Sequence, residues 1–415
     1  MSNGSNSNHR LCYRGIALIT VIVTLTLTST RLRADTGTCN GASVTLPFTD
    51  VPASNIFFCS IASAYFSGLT NGTSATTYGP SQNVSRDQMA AFVSRTHDSA
   101  IRRSSRRAVA QQWWTSNHNY ALTSASLFNG PGKIAWDGID FWVPNTGNNT
   151  VRRLRAGDGK ELESYQLPWP GQKPHDVISV AGYIFVTGMR GPGTPGVIYR
   201  IETEVPDIPG AVLNFAETGP NPSGITFDGE NLWTANNAGG LIGGSITKRP
   251  LGASNETFTT GFVAPSDVLW DGENLWVADY GADRVRRVDP ATGAVLQSIV
   301  VGNAPRELLF DGSNLWVSNY LSDNVTVIRA VGALRGTVLA TLTGNGLDGP
   351  AGLAFDGERV LVTNFSGDSV SLFKAADLTP LVNVSTSTNS DPLAACSDGL
   401  NFWIVRLGKN DLLRF

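Results

Sequence analysis

Seven residues bring charge or proton-transfer chemistry to places where the surrounding sequence pattern does not require it: His175, Asp176, Asp267, Asp279, Arg306, Glu307 and Arg406. A histidine is the side chain best suited to act as a general base near neutral pH, and carboxylates can hold a hard cation. Catalysis, however, needs a nucleophile, a base or a metal in a workable constellation. From residue 99 onward the chain has only His118 and His175, with no G-x-S-x-G elbow and no pair of histidines at zinc spacing. No catalytic residue is therefore assigned, and neither a metal nor a cofactor is implied. Arg306 and Glu307, being adjacent, also fit a pair of solvated charges of small energetic worth.

The positions of these residues follow from a repeat. A proline is followed eleven residues later by a large apolar residue seven times: Pro131/Trp142, Pro174/Phe185, Pro222/Trp233, Pro265/Trp276, Pro305/Trp316, Pro350/Leu361 and Pro392/Trp403. Between the members of each pair stands a turn dipeptide, Asp-Gly in six units and Ala181-Gly182 in the other, which reverses a strand because glycine tolerates positive φ. Each unit continues with a second pair of alternating strands, clearest on the two sides of Pro290-Ala291-Thr292-Gly293. Four antiparallel strands per period of about 40–45 residues describe a propeller blade, so the chain is read as an all-β seven-bladed β-propeller over residues 120–415 with a small α-helical module before it.

The seventh unit stops after its third strand, and residues 120–127 have strand character without a local partner. Pairing the two would close the ring and remove both open edges. The Trp stripe is then core packing between blades. In a propeller, the residues just after each proline and those fourteen after it meet at one end of the central channel. His175, Asp176, Asp267, Arg306 and Glu307 occupy the first set, Asp279 and Arg406 the second. Packing alone requires no such variation, so these seven are the candidate ligand-binding residues. The Asn145, Asn236, Asn319 and Asn364 of the second set read as turn formers bonded to their own backbone.

Through Asn274-Leu275-Trp276-Val277-Ala278-Asp279-Tyr280, Asn314-Leu315-Trp316-Val317-Ser318-Asn319-Tyr320 and Val360-Leu361-Val362-Thr363-Asn364-Phe365, the units resemble the YVTN and NHL classes of bacterial β-propeller. That likeness implies the fold and leaves the function open among scaffolds, surface proteins and a few enzymes. The streptogramin B lyases have similar repeats, and the enzymatic alternative they imply is a lyase using His175 as general base.

Upstream, residues 55–67 space Phe58, Ile61, Ala62 and Tyr65 for one helix, and Ser85 with Gln88 forms a capping box for a second one carrying Met89, Phe92 and Val93. Phe48-Thr49-Asp50-Val51-Pro52, Gly68-Leu69-Thr70-Asn71-Gly72, Tyr78-Gly79-Pro80 and Val84-Ser85-Arg86-Asp87-Gln88-Met89-Ala90 together resemble one S-layer homology repeat, within a module at 35–98. The resemblance implies attachment to peptidoglycan or a secondary cell-wall polysaccharide, with Arg86 as the ligand-facing residue. Families of this kind usually carry three repeats; this chain shows one. A helical cap that only packs on the next domain is the bland alternative.

Residues 1–34 have the order of a secretory signal peptide, with Arg10 and Arg14 ahead of an apolar run too short to span a bilayer. In an oxidising compartment Cys39 and Cys59 can pair, leaving Cys396 as a small buried hydrophobe. Residues 99–119, with four arginines, read as a basic linker. The chain of 415 residues has 16% charged residues, 44 Gly and a net charge of −3, which disfavours coiled coils and leaves no basic stripe for nucleic acid. The expected protein is a secreted bacterial surface or periplasmic protein that presents a propeller to a protein or small-molecule ligand, with a purely structural envelope component as the remaining alternative.

Overall fold

The computed structural model describes residues 35–92 except 40–41, 67–69, 71, 87 and 91, then 120–121, then 127–415 except 157, 169–172, 192, 203–210, 239–242 and 253–256. The signal-peptide and basic-linker readings lie outside the described residues.

Seven four-stranded antiparallel sheets follow one another, six with their strands in chain order from inside to outside and the seventh taking its outer strand from the N-terminal side of the ring. Blade 4 is representative: Pro265–Trp270 is innermost, followed by Leu275–Asp279, Arg284–Val288 and Val295–Val300. The inner turn owes its form to one side chain. Asp271 Oδ1 accepts the backbone N–H groups of Glu273 and Asn274 at 2.8 and 2.6 Å, and Gly272 takes φ +100°. The second oxygen, Oδ2, accepts the indole N–H of Trp276 at 2.7 Å, so the turn carboxylate also satisfies the one polar atom of a fully buried ring.

The same bond recurs from Trp142 to Asp137, Trp233 to Asp228, Trp316 to Asp311 and Trp403 to Asp398. The two exceptions obey the same chemistry. Blade 2 has Phe185, which needs no acceptor, and its turn has Ala181 in place of aspartate. Blade 6 has Leu361, and there Asp356 accepts from Arg359 Nε instead, at 2.8 Å. The Trp stripe is core, as its spacing predicts: all five indoles are at most 1% exposed.

Ring closure joins the two ends of the propeller. Asp411–Arg414 pairs antiparallel with Tyr120–Ala121, in the register Tyr120↔Arg414 and Ala121↔Leu413, giving blade 7 its fourth strand. Across the same seam the Phe141 and Trp403 rings lie 4.8 Å apart, and Asn410 Oδ1 accepts the Gly130 N–H at 2.7 Å.

The N-terminal segment is a hairpin, Thr36–Cys39 with Ala42–Thr45, tied to the helix Phe58–Phe66 by the disulfide Cys39–Cys59. The helix starts three residues later than its apolar spacing predicts. Asn55 Oδ1 takes the Phe57 N–H at 2.8 Å and holds a turn ahead of it, leaving Ile56 and Phe57 exposed. The next helix opens at Arg86, and its capping box is made: Ser85 N–H donates to Gln88 Oε1 at 2.9 Å and Gln88 N–H to Ser85 Oγ at 3.4 Å.

Asp50 accepts the N–H groups of Tyr78 and Gly79, both at 2.8 Å, and ties the first motif of this segment to the third. Desolvation pushes its carboxyl up, but those N–H donors outweigh it and hold it below the ordinary range. The apolar faces of hairpin and helix do not form a separate core. Phe48, Phe58, Ile61 and Phe66 share one buried cluster with Leu361, Leu372, Leu381 and Phe402 of blades 6 and 7.

Candidate functional site

Each blade donates its innermost strand to the channel wall, so the two residues after the blade's proline are its contribution. The second of these forms a ring of Lys133, Asp176, Gly224, Asp267, Glu307, Gly352 and Ala394. Lys133 bridges the ring: its Nζ stands 2.8 Å from Asp267 Oδ1 and 3.2 Å from Asp176 Oδ2. Each acid also reaches a neighbouring blade. Asp176 Oδ2 accepts the Ile225 N–H at 3.1 Å, Asp267 Oδ2 the Leu308 N–H at 2.9 Å, and Glu307 Oε1 the Leu353 N–H at 3.4 Å. Glycine is needed where such a carboxylate crosses: a Cβ on Gly224 would lie 2.5 Å from Asp267 Oδ1.

The electrostatics of this ring follow from burial opposed by partners. Desolvation would discharge Lys133, yet Asp176, Asp267 and Glu307 outweigh it and keep the ammonium far above its ordinary range. Burial pushes Asp267 up, Lys133 pulls it back, and Asp176 adds repulsion. Glu307 has no cation at ion-pair distance among the described residues. Burial, only partly offset by Lys133 and reinforced by Asp267 and Asp176, pushes it up to about 8.

Above this ring opens a cavity of about 420 Å³, lined by Lys133, His175, Ser223, Asn237, Ala264, Ser266, Tyr280, Arg306, Glu307, Tyr320, Phe365 and Leu393. His175 Nδ1 lies 3.1 Å from the Ser223 carbonyl, which can only accept, so the neutral ring carries its proton there and Nε2 is an open acceptor. Desolvation, with Lys133 and Arg306 nearby, holds this histidine at about 4, so the ring is neutral at physiological pH. The Arg306 guanidinium is held by aromatic rings, with its carbon 5.1 Å from the Tyr320 centroid and 5.4 Å from that of Phe365. Those two rings meet edge to face at 6.1 Å.

The structure thus brings His175, Asp176, Asp267, Arg306 and Glu307 together. It does not bring Asp279 and Arg406 to this cavity. Asp279 is fully buried inside blade 4, accepting the Val263 and Ala264 N–H groups and pairing with Arg286 at 2.8 Å. Arg406 forks onto Asp411 at 2.7 and 2.6 Å and donates to the Thr386 carbonyl. The four asparagines of the same set are fully buried, and their amides donate to hydroxyls of the third strand, as from Asn364 to Ser369 and Ser371, rather than to their own backbone.

Sequence reasoning missed Lys133, Tyr280, Tyr320 and Phe365. A signal for the aromatics existed: one follows the channel-end Asp or Asn in three successive blades, at Asp279-Tyr280, Asn319-Tyr320 and Asn364-Phe365. Among the described residues no group of histidines, cysteines and acids is placed to hold a metal ion. Arg86 is exposed on the first turn of its helix. Cys396 is a free thiol, pushed up to about 12 by burial.

A seven-bladed propeller with a mixed polar and aromatic channel-mouth cavity, fused to a disulfide-tied N-terminal module, is the class of protein these features define. The chain carries an S-layer homology domain, matched over residues 47–90, which associates it with the cell surface. Among solved structures it is similar to a streptogramin B lyase, with 17% identity, 72% of this chain and 96% of that one covered, and a TM-score of 0.57. It is also similar to a catalytically inactive histidine-to-alanine variant of virginiamycin B lyase from Staphylococcus aureus with quinupristin, at 16% identity over 69% and 94% of the two chains, TM-score 0.55. Hydrazine synthase from Kuenenia stuttgartiensis matches at 18% identity over 73% and 99%, TM-score 0.57. These likenesses show the propeller fold. No curated protein sequence matches the chain.

Proposed function

We propose that this is a secreted bacterial surface protein that holds cell-wall polymer, either peptidoglycan or a secondary polysaccharide, through Arg86 and its helix, and binds a ligand at the channel mouth of its propeller. The observation that carries the second half is the cavity. It gathers His175, Arg306 and Glu307, three of the side chains in which the repeat departs from itself, with Lys133 from another blade, and leaves room for a small molecule. The first half rests on the domain matched at 47–90 and on the exposure of Arg86 beside a made capping box.

A second reading has a specific observation behind it. At neutral pH His175 is an unprotonated base and Glu307 a protonated acid on the same cavity wall, which is the division of labour that proton-transfer catalysis uses. A base whose conjugate acid titrates at about 4 is weak, however, and a lyase would need it nearer the working pH. Binding is therefore preferred over turnover.

Co-sedimentation of the full chain with purified wall sacculi tests the anchoring half. The parent protein should pellet with sacculi that retain their secondary polymers, and Arg86→Ala should leave more of it in the supernatant. A parent that stays in solution, or a variant that pellets equally well, refutes the role given to that residue.

A further inference from the structure

We infer that the channel-mouth cavity takes a small monoanion, a carboxylate on an apolar or aromatic body, with Arg306 receiving the carboxylate. The inference deepens the binding function proposed above and rests on it. Its first support is an imbalance of partners. Most of the other arginines on the ring of blades answer to an acid: Arg286 to Asp279, Arg359 to Asp356 and Arg406 to Asp411, each within 2.8 Å. Arg306 has no hydrogen bond or ion pair among the described residues, and its contacts are the faces of Tyr320 and Phe365. Rings satisfy the faces of a guanidinium and leave its N–H edge unmet; that edge is the part that binds a carboxylate with two parallel hydrogen bonds.

Its second support is charge. Desolvation pulls Arg306 below its ordinary range, the tyrosines and Glu307 only partly restoring it, as expected of a cation that awaits a counter-ion. The Lys133 charge is already spent on Asp267 and Asp176. Two acids on that one ammonium leave no positive charge to spare in the ring, so Arg306 is the one cation on the cavity wall without an ion pair among the described residues, which suits a monoanion better than a doubly charged phosphate. Protonated Glu307 can donate a further hydrogen bond to such a carboxylate, whereas ionised Glu307 would repel it. The body of the ligand meets Ala264, Leu393 and the ring of Tyr280, an apolar flank.

The test compares benzoate with its neutral isostere benzamide by isothermal titration and saturation-transfer NMR on the full chain at pH 7. Three proteins are needed: the parent, Arg306→Gln and Asn237→Trp, the last filling the cavity from its wall. Benzoate should bind the parent at least about tenfold more tightly than benzamide, the worth of a charge-assisted fork. Arg306→Gln should abolish that preference while melting like the parent, and Asn237→Trp should abolish binding of both. Raising the pH through about 8 should weaken benzoate alone, as Glu307 ionises. Equal binding of the two probes, or benzoate binding undiminished in Arg306→Gln, overturns the inference. If that equal binding is lost in Asn237→Trp, the cavity remains a ligand site and only the anion claim falls. Benzoate binding that ignores Asn237→Trp, or none to the parent, removes both.

Discussion

Replacing Asp271 by alanine should destabilise blade 4 far more than a surface turn substitution would, because one carboxylate there serves three donors. Oδ2 accepts the indole N–H of Trp276, a ring with no exposed surface, and Oδ1 accepts the N–H groups of Glu273 and Asn274. Orphaning the buried indole N–H costs about 1–3 kcal/mol, while water can replace the carboxylate at the two turn amides for about 0.5 kcal/mol each, so the expected loss is about 2–4 kcal/mol. Blade 2 shows how the same fold does without the aspartate, pairing Ala181 with Phe185. The cost of Asp271→Ala should therefore shrink by about 1–3 kcal/mol, the indole's share, in a Trp276→Phe background, even though the smaller ring has a packing cost of its own. Urea unfolding of the parent, both single variants and the double variant closes the cycle. A loss below about 0.5 kcal/mol for Asp271→Ala, or the same loss in both backgrounds, would refute the claim that the turn carboxylate exists to satisfy the indole.

Deleting residues 119–128 should lower the melting temperature of the whole propeller, since Asp411–Arg414 would lose its outer partner; a truncated protein that melts like the parent would contradict closure by that strand. Stability should also depend on pH through two channel residues. His175, held at about 4 against an ordinary 6.5, binds fewer protons folded than unfolded, so its contribution is present above pH 6.5 and lost as the pH falls toward 4. Glu307, pushed up to about 8 from 4.5, holds a proton that the unfolded chain has released, so its contribution is present below pH 4.5 and lost as the pH rises through 8. Melting curves across this range should show the acid limb flattened in His175→Gln and the alkaline limb flattened in Glu307→Gln; unchanged limbs would contradict those assignments.

The ring of blades was legible because its physics is repeated: a proline, a glycine turn and a large apolar residue at fixed spacing need only be counted. Closure was legible for a related reason, since a missing strand at one end and a spare one at the other leave a single way to satisfy both edges. The site was half legible. Variation after the proline marked His175, Asp176, Asp267, Arg306 and Glu307, because those positions face the channel in every blade. The same logic failed for Asp279 and Arg406, whose side chains turn into their own blades to meet Arg286 and Asp411 on the third strand. Lys133 was passed over because its meaning lies in two acids more than forty residues away, a pairing that no local pattern encodes. The docking of the small module on blades 6 and 7 was equally hidden, as its apolar faces name no partner until Leu372 and Phe402 are placed beside Phe58 and Phe66.

The central claim is that one part of this protein holds the wall while another stays free to bind. Hydrogen exchange read by mass spectrometry on the full chain, free and bound to sacculi, addresses both halves at once. Peptides covering residues 80–92, around Arg86, should gain protection on the wall, while those covering Tyr280, Arg306, Tyr320 and Phe365 should exchange as in the free protein and slow only when benzoate is added. Wall-induced protection at the channel mouth, with the Arg86 segment unchanged, would show that the propeller itself holds the polymer and would contradict the account.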